Sequence, residues 1–407
     1  MYTPWENILS QLPELLKSRD LRHSIGELDV LSTKGLRTHE EWRRAYVVLS
    51  FLAHGYIWGG DKASEVRLSL LAADMTLPPA ISIPYLEVSE HLRLPPVATY
   101  ASLNLWNFAT SASGDFSDLD SLNSLHTFSG TEDESWFYCL SVAMECQGAH
   151  IIPVMLDAIE AIPRRDFLTI ARSLDELRAC IENLGRLLER MHEKCDPMVF
   201  YHQIRPYLAG SKNAENMGLP NGVFYDEGHG RGTWRQLRGG SNGQSSLIQF
   251  LDVVLGVEHT SAGNESASTE TNRRQMSYHE EVRAYMPEPH RRFLKHVSRM
   301  DSLKDFARQQ PATSGEQRRM QQAFRDATLA LAEFRSKHMQ MVTRYIVVPS
   351  RRQRDAAANL VTPCSKVPTT QKKTGLTGTG GTDLIPFLKQ TREETLLAGG
   401  ITREAVR

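Results

Sequence analysis

The stretch EQRRMQQAFRDATLALAEFRSKHMQMVTRYIVVP, Glu316–Pro349, constrains the fold more than any other part of the chain. Its larger apolar residues fall at Met320, Phe324, Ala327, Leu331, Phe334, Met341 and Tyr345. Steps of four and three residues trace one face of a long amphipathic helix, a stripe that other elements must cover. The slot between Phe334 and Met341 is filled by His338.

A histidine on a buried helix face has two readings. It is a core imidazole satisfied by its neighbours, or it is a metal or haem ligand, because neutral imidazole in an apolar wall is a common axial donor. The sequence contains no HExxH and no CxxC, so nothing nearby offers a second ligand at metal spacing. An iron held by His338 would have to bring further donors with it, as a porphyrin does.

The 407 residues, 41% hydrophobic and 23% charged, suffice for one large or two modest globular domains. A net charge of −1 and a pI of about 6.9 provide no basic field for nucleic acid or an anionic membrane. The opening segment MYTPWENILSQLPELLK is amphipathic and carries acids, unlike a signal peptide, and no uninterrupted apolar run elsewhere is long enough to span a bilayer. The five cysteines, Cys139, Cys146, Cys180, Cys195 and Cys364, lack close pairs and read as reduced thiols of a cytoplasmic protein.

Helical patterns dominate the chain, and the expected fold class is all-α. Trp5–Ser18, Glu40–Tyr56, Glu134–Cys146, Asp166–Glu193 and Ser246–Gly256 read as helices. Leu77–Pro84 reads as a Pro-rich loop, and Ile83–Pro96 as a short helix closed by two prolines. Ser111–Ser124 reads as a surface connection, and Gly218–Gly240 as loop or short strand. Asp196 and Pro197 mark a helix start, and Pro206 should kink or end the helix Met198–Gly210. Gly263–Met276 reads as a polar insertion and Arg351–Thr377 as a mobile segment, with a last helix around Asp383–Leu397.

FRSKHMQMVTRYI, Phe334–Ile346, resembles the signature helix of the indoleamine 2,3-dioxygenase family, whose histidine is the proximal haem ligand. IPYLEVSEHLRLPP and YASLNLWNF, SWFYCLSVAMEC, FYHQIRPYLAG, RGGSNGQSS and LTGTGGTDLIPFLK agree with the same family, in order along most of the chain. Composition and the 263–276 insertion resemble fungal more than animal members. The resemblance implies a smaller helical domain over 1–125, which contributes to the distal wall, packed on a larger helical haem domain over 126–407. It also implies a packing segment ahead of the PWENI stretch, almost at which this sequence begins; either the protein omits that segment or the chain is a shortened form, and lower stability is the expectation in either case.

Each site residue has a plain reading beside the family one. Phe137 and Ser141, four apart on one helix face, read alone as ordinary core; the resemblance places Ser141 over the distal face of the haem, with Phe137 and Tyr100 as aromatic walls. Arg205 read alone is a surface cation; the resemblance makes it a guanidinium that grips a substrate carboxylate, with Phe200 and Tyr201 against the indole. Gly240, Ser241 and Asn242 read alone as a turn and N-cap, and by resemblance as the haem edge with room for the substrate ammonium. Thr379 reads alone as part of a flexible joint, and by resemblance as part of a lid that meets substrate. Arg335, three residues before His338, and Asp252 by resemblance support the haem and its proximal side. Pro206 and Ser211 depart from the family's pattern, and Asn242 stands where the animal enzymes carry a smaller residue. The first departure bears on where Arg205 points, and Asn242 on the width of the pocket.

The resemblance therefore implies one haem b per chain, held by His338, with O2 as co-substrate and L-tryptophan or another indoleamine as substrate. The product would be N-formylkynurenine, the first step of the kynurenine route towards NAD. A cytoplasmic monomer served by a separate electron donor is expected, with no nucleic acid or membrane partner. Two rivals remain: a haem-binding or signalling homologue with weak or no turnover, and a helical scaffold without cofactor.

Overall fold

A computed structural model of the chain describes residues 2–60, 75–111, 115–260, 277–352, 378–379 and 384–401. The insertion expected at Gly263–Met276 lies outside them, as does all of Arg351–Thr377 beyond its first two residues, which are helical.

The amino-terminal third is built around α4. Three short helices, α1 (Thr3–Ser10), α2 (Leu12–Ser18) and α3 (Leu21–Gly26), precede it. The single amphipathic segment expected over Trp5–Ser18 is thus two helices, divided at Gln11, with a proline opening each one. α4 (His39–Trp58) starts at a capping box, in which Thr38 and Glu41 satisfy each other's backbone N–H groups. Tyr46 to Ala53 are buried on every side of it, as an interior helix requires.

α5 (Pro79–Leu92) corrects the expected loop. Pro79 sits in the first turn, where its missing N–H costs nothing, and Pro84 lies inside the helix. Arg93 ends it in a left-handed conformation (φ 53°). The chain then leaves through Pro95 and Pro96, and the Tyr46 hydroxyl donates to the carbonyls of Pro95 and Val97, at 2.7 and 2.9 Å.

The remainder is a helical stack. α6 (Glu132–Gly148) and α7 (Ile151–Glu160) both pack on α8 (Phe167–Glu189). Among the described residues the stretch Glu132–Glu160 alone is long and apolar enough to cross a membrane, and here it is those two core helices. α9 (Ser246–Val254), α10 (Tyr278–Arg283) and α11 (Glu288–Val297) follow. The long helix α12 runs from Gly315 to Val342, capped by Ser314, and α13 spans Leu384–Ala398. α12 packs most extensively against α8: Ile170, Leu174, Leu177, Ile181 and Leu184 on α8 and Met320, Ala327 and Leu331 on α12 are all fully buried.

The strands are few. β1 (Thr76–Leu77) runs parallel to β4 (Val223–Gly228), which pairs antiparallel with β5 (Arg231–Arg235). β2 (Phe108–Thr110) and β3 (Leu122–Ser124) form an antiparallel pair, so the latter end of the expected surface connection is tied down. The expected fold class stands: mostly helical, with short strands at the margins. The four described cysteines, Cys139, Cys146, Cys180 and Cys195, are free thiols.

Two glycines carry a tight crossing. A Cβ on Gly239 would meet the Leu208 carbonyl oxygen, and one on Gly210 would meet the Gly239 backbone, so the two strands of chain touch main chain to main chain. Gly239→Ala is expected to destabilise the protein by about 1–3 kcal/mol, the usual range for forced overpacking. A shift of the urea midpoint at unchanged m-value is the measurement that checks it.

Candidate active site

The carboxyl half of α12 turns its stripe towards a cavity of about 270 Å³. α6, the segment 197–208, the Gly-rich loop after β5 and α13 close the other sides. Phe334, Arg335, His338, Met341 and Val342 line it from α12, and Tyr345 and Ile346 from the π-helical turn Thr343–Val347 that continues it. Two further π-helical turns, Ala101–Leu105 and Phe200–Ile204, also border the cavity. Such turns redirect side chains that a regular helix would aim elsewhere.

His338 is the centre of the arrangement. Its imidazole makes no hydrogen bond or ion pair among the described residues, which favours the ligand reading over that of a satisfied core histidine. Burial, helped by the Arg335 charge, pulls its pKa down to about 4, which leaves a neutral ring with a free lone pair at pH 7.

Arg335 is anchored behind it. It donates to Asp252 at 2.5 Å, to the Thr391 carbonyl at 3.1 Å and to the Thr395 hydroxyl. Burial alone would raise the Asp252 carboxyl; Arg335 and His259 outweigh it and hold that carboxyl well below the usual range. His259 bonds Asp252 with one nitrogen and Glu394 with the other, and its ring stacks on His279.

On α6, Phe137, Ser141 and Glu145 follow one another at four-residue steps and all line the cavity. Phe137 meets Phe200 edge to face at 5.0 Å. The Tyr100 hydroxyl donates to Glu145 at 3.1 Å, and the Ser245 hydroxyl donates to the same carboxyl oxygen. Burial pushes the Glu145 carboxyl up in spite of these two bonds. The Tyr100 backbone N–H donates to Gln244 Oε1 at 2.8 Å, fastening the Gly-rich loop to the opposite wall.

Arg205 begins the short helix Arg205–Leu208 and reaches the cavity with Phe200 and Leu208. The preceding π-helical turn absorbs Pro206, whose missing N–H falls in the first turn of the new helix. Burial lowers the Arg205 pKa, and its guanidinium lies 5.6 Å from the centre of the Tyr201 ring. Tyr201 itself does not line the cavity; it sits against the guanidinium. Ser211 accepts from the Leu237 N–H and donates to the Arg235 carbonyl, so that departure from the family pattern braces the hairpin.

Gly240, Ser241 and Asn242 line the cavity, and a Cβ on Gly240 would strike Leu103. Thr379 lines it as well and donates to the Gly240 carbonyl at 2.9 Å. The sequence reading passed over Glu145, Tyr278, His279 and Phe387, which also face the cavity. Glu145 was open to discovery as an acid one turn beyond Ser141; the others have no local signal, because their neighbours come from distant segments.

The donor set fits a haem better than a bare ion. Among the described residues the one cluster of three possible metal ligands is Asp252, His259 and His279, and it leaves His338 out. Both His259 nitrogens are taken by carboxylates, and Arg335 already supplies positive charge at Asp252. His338 offers one neutral imidazole without a partner among the described residues, in a largely apolar wall, which suits a macrocycle that carries donors of its own. Arg205 and Ser241 add polar groups to the lining.

The chain matches the family model described as indoleamine 2,3-dioxygenase over residues 1–398. It is 39% identical over 406 residues to indoleamine 2,3-dioxygenase nanC of Aspergillus nanangensis, covering 98% of this chain and 90% of the relative. To the indoleamine 2,3-dioxygenase of Saccharomyces cerevisiae it is 38% identical over 423 residues, with 99% and 89% covered. To 6-hydroxytryptophan 2,3-dioxygenase fscD of Fusarium equiseti it is 35% identical over 396 residues, with 97% and 90% covered.

Glu145 yields a pH prediction. An acid whose folded pKa lies above its ordinary 4.5 lowers stability progressively as pH rises from the unfolded value to the folded one. Glu145→Gln, which keeps a hydrogen-bonding side chain of the same size, is therefore expected to be more stable than the parent at pH 8. The difference should vanish at pH 4, and urea unfolding at the two pH values measures it.

Proposed function

The chain belongs to the indoleamine 2,3-dioxygenase family, haem-dependent oxidoreductases, and on that premise we propose that it oxidises L-tryptophan to N-formylkynurenine. The observation that carries this reading is the pairing of His338, a neutral imidazole without a partner among the described residues, with the part-buried guanidinium of Arg205 in the wall of one cavity. The first would suit a ligand to haem iron and the second an amino-acid carboxylate.

In this reading His338 would hold one haem b per chain through its neutral imidazole. Bound haem supplies the chemistry that activates O2 for insertion across the indole C2–C3 bond. The protein's own work is binding and exclusion of water. Arg205 donates two parallel hydrogen bonds to the substrate carboxylate, held in place from behind by Tyr201. Phe137 and Phe200, which pack edge to face, offer the indole an apolar wall. Gly240, Ser241 and Asn242 leave space beside the loop for the ammonium, and Thr379 closes that end through its bond to Gly240. Ser141 offers a hydroxyl as a hydrogen-bond partner and not as a base, since among the described residues no carboxylate or imidazole is bonded to it.

Arg335 and Asp252 keep α12 in register behind His338. A cytoplasmic monomer feeding the kynurenine route, with a separate protein or small molecule reducing the haem, completes the proposal. A ring-hydroxylated tryptophan is the alternative substrate, favoured by the polar wall of Glu145, Tyr278 and His279, which could pair with an added hydroxyl.

The test is to load the protein with haem, reduce it, and follow product from L-tryptophan and 6-hydroxytryptophan at low and high concentration. The expected outcome is N-formylkynurenine at low L-tryptophan, with His338→Ala losing both haem uptake and product. Arg205→Leu should raise KM by about 10–100-fold, the loss of a charged hydrogen-bonding pair, while haem uptake persists. Haem-loaded protein that makes no product from either indole would overturn the proposal.

A further inference from the structure

We propose that His259 is a positioning residue that fastens the last helix, α13, to the haem helix α12 across Asp252. His259 Nε2 lies 3.1 Å from Asp252 Oδ2, and Nδ1 lies 2.7 Å from Glu394 Oε2 on α13. The three side chains are 8%, 5% and 10% exposed, so the contacts are not screened as surface pairs are. Asp252 uses its other oxygen to accept from Arg335 on α12, at 2.5 Å. The line from α13 to α12 is therefore Glu394, His259, Asp252, Arg335, with every link a charged hydrogen bond.

A neutral imidazole has one N–H and satisfies one carboxylate; only imidazolium donates to both. Ionised, the four groups balance, two negative and two positive. Deprotonated, His259 leaves one carboxylate oxygen, on Asp252 or on Glu394, without its donor in a poorly solvated place, which is costly. Glu394 is further held by the backbone N–H and hydroxyl of Thr260, at 2.9 and 2.7 Å, so it has no alternative position at low cost. His279 of α10 stacks on the His259 ring at 3.7 Å and on Phe387 of α13. α13 supplies Leu384, Phe387, Leu388 and Thr391 to the cavity wall, so the tie fixes one side of the pocket.

The charged and titratable groups facing His259 are Asp252 from α9, Glu394 from α13, Arg335 from α12 and His279 from α10. Burial lowers the His259 pKa, but its two carboxylate partners more than offset that and raise it above 6.5. Burial and the His259 charge pull His279 down to about 3, so it stays neutral beside the cation. A raised folded value means the tie is complete below the ordinary histidine range and is lost as pH rises through the folded pKa.

The tie belongs to the polypeptide whether or not haem is bound, so its test does not depend on the proposed reaction. Hydrogen exchange of the α13 amides is measured on the full chain, haem-loaded and haem-free, at about pH 6 and about pH 8.5, either side of the histidine range. After correction for intrinsic rates, α13 is expected to open about tenfold more readily at the higher pH, the loss of one charged hydrogen bond, while α7 does not change. His259→Gln is expected to abolish that pH step and raise KM more than it lowers kcat. Glu394→Gln, which leaves Asp252 and Arg335 paired, serves if His259→Gln does not fold, and should abolish the step too. Equal protection of α13 at both pH values in the parent, or an undiminished pH step in either variant, would overturn the proposal.

Discussion

Burial of the α12 stripe against α8 is the contact on which the rest of the structure depends. Met320, Ala327 and Leu331 are wholly inside, and burying a side chain the size of Met320 or Leu331 contributes about 1.5–3 kcal/mol. That packing fixes the axial rotation of α12. Once it is fixed, the residues two turns further along have no freedom to choose their surroundings. Phe334, His338 and Met341 must then face whatever lies beyond the end of the α8 contact, and what lies there is the cavity.

Three acids, Glu134 and Asp252 buried and Glu145 part-buried, show how the fold copes with charge around that cavity. Glu134 sits at the start of α6 and accepts from the Phe128 and Ser129 N–H groups, the Ser129 hydroxyl and the Tyr138 hydroxyl. Glu145 has two hydroxyl donors and no cation, and burial raises its carboxyl. Asp252 has Arg335 and His259 and stays ionised. The number of cationic partners, not the depth of burial, separates the third from the first two. His338 obeys the same rule from the other side: shielded from water, beside an arginine and without a carboxylate among the described residues, it stays neutral.

The cavity walls come from segments that abandon regular helix where they meet it. Each of the three π-helical turns, at Ala101–Leu105, Phe200–Ile204 and Thr343–Val347, brings at least one side chain to the lining. The Gly-rich loop approaches Leu208 and Leu103 so closely that a Cβ at Gly239 or Gly240 would collide. Pro206 is accommodated by the same device, and Arg205 still reaches the interior.

Much of this was legible in the residues themselves. The four-and-three spacing of the Glu316–Pro349 stretch set the long helix and put His338 in its apolar face; Asp196 and Pro197 marked a helix start that the structure keeps. The family motifs named Tyr100, Phe137, Ser141, Phe200, Arg205, Gly240, Ser241, Asn242, Arg335 and Thr379, all of which line one cavity, and Tyr201, which does not. α5 was misread because two prolines outweighed the helical pattern, although one of them occupies a position where proline is tolerated. Local periodicity and capping thus determined the helices, since both act over a few residues. Which helix end meets which loop was decided only by tertiary packing. His259, His279 and Glu394 lie far from one another and from Arg335 in the chain, and no local pattern brings them together. Their charges and protonation states exist only because the folded core removes water from all of them at once.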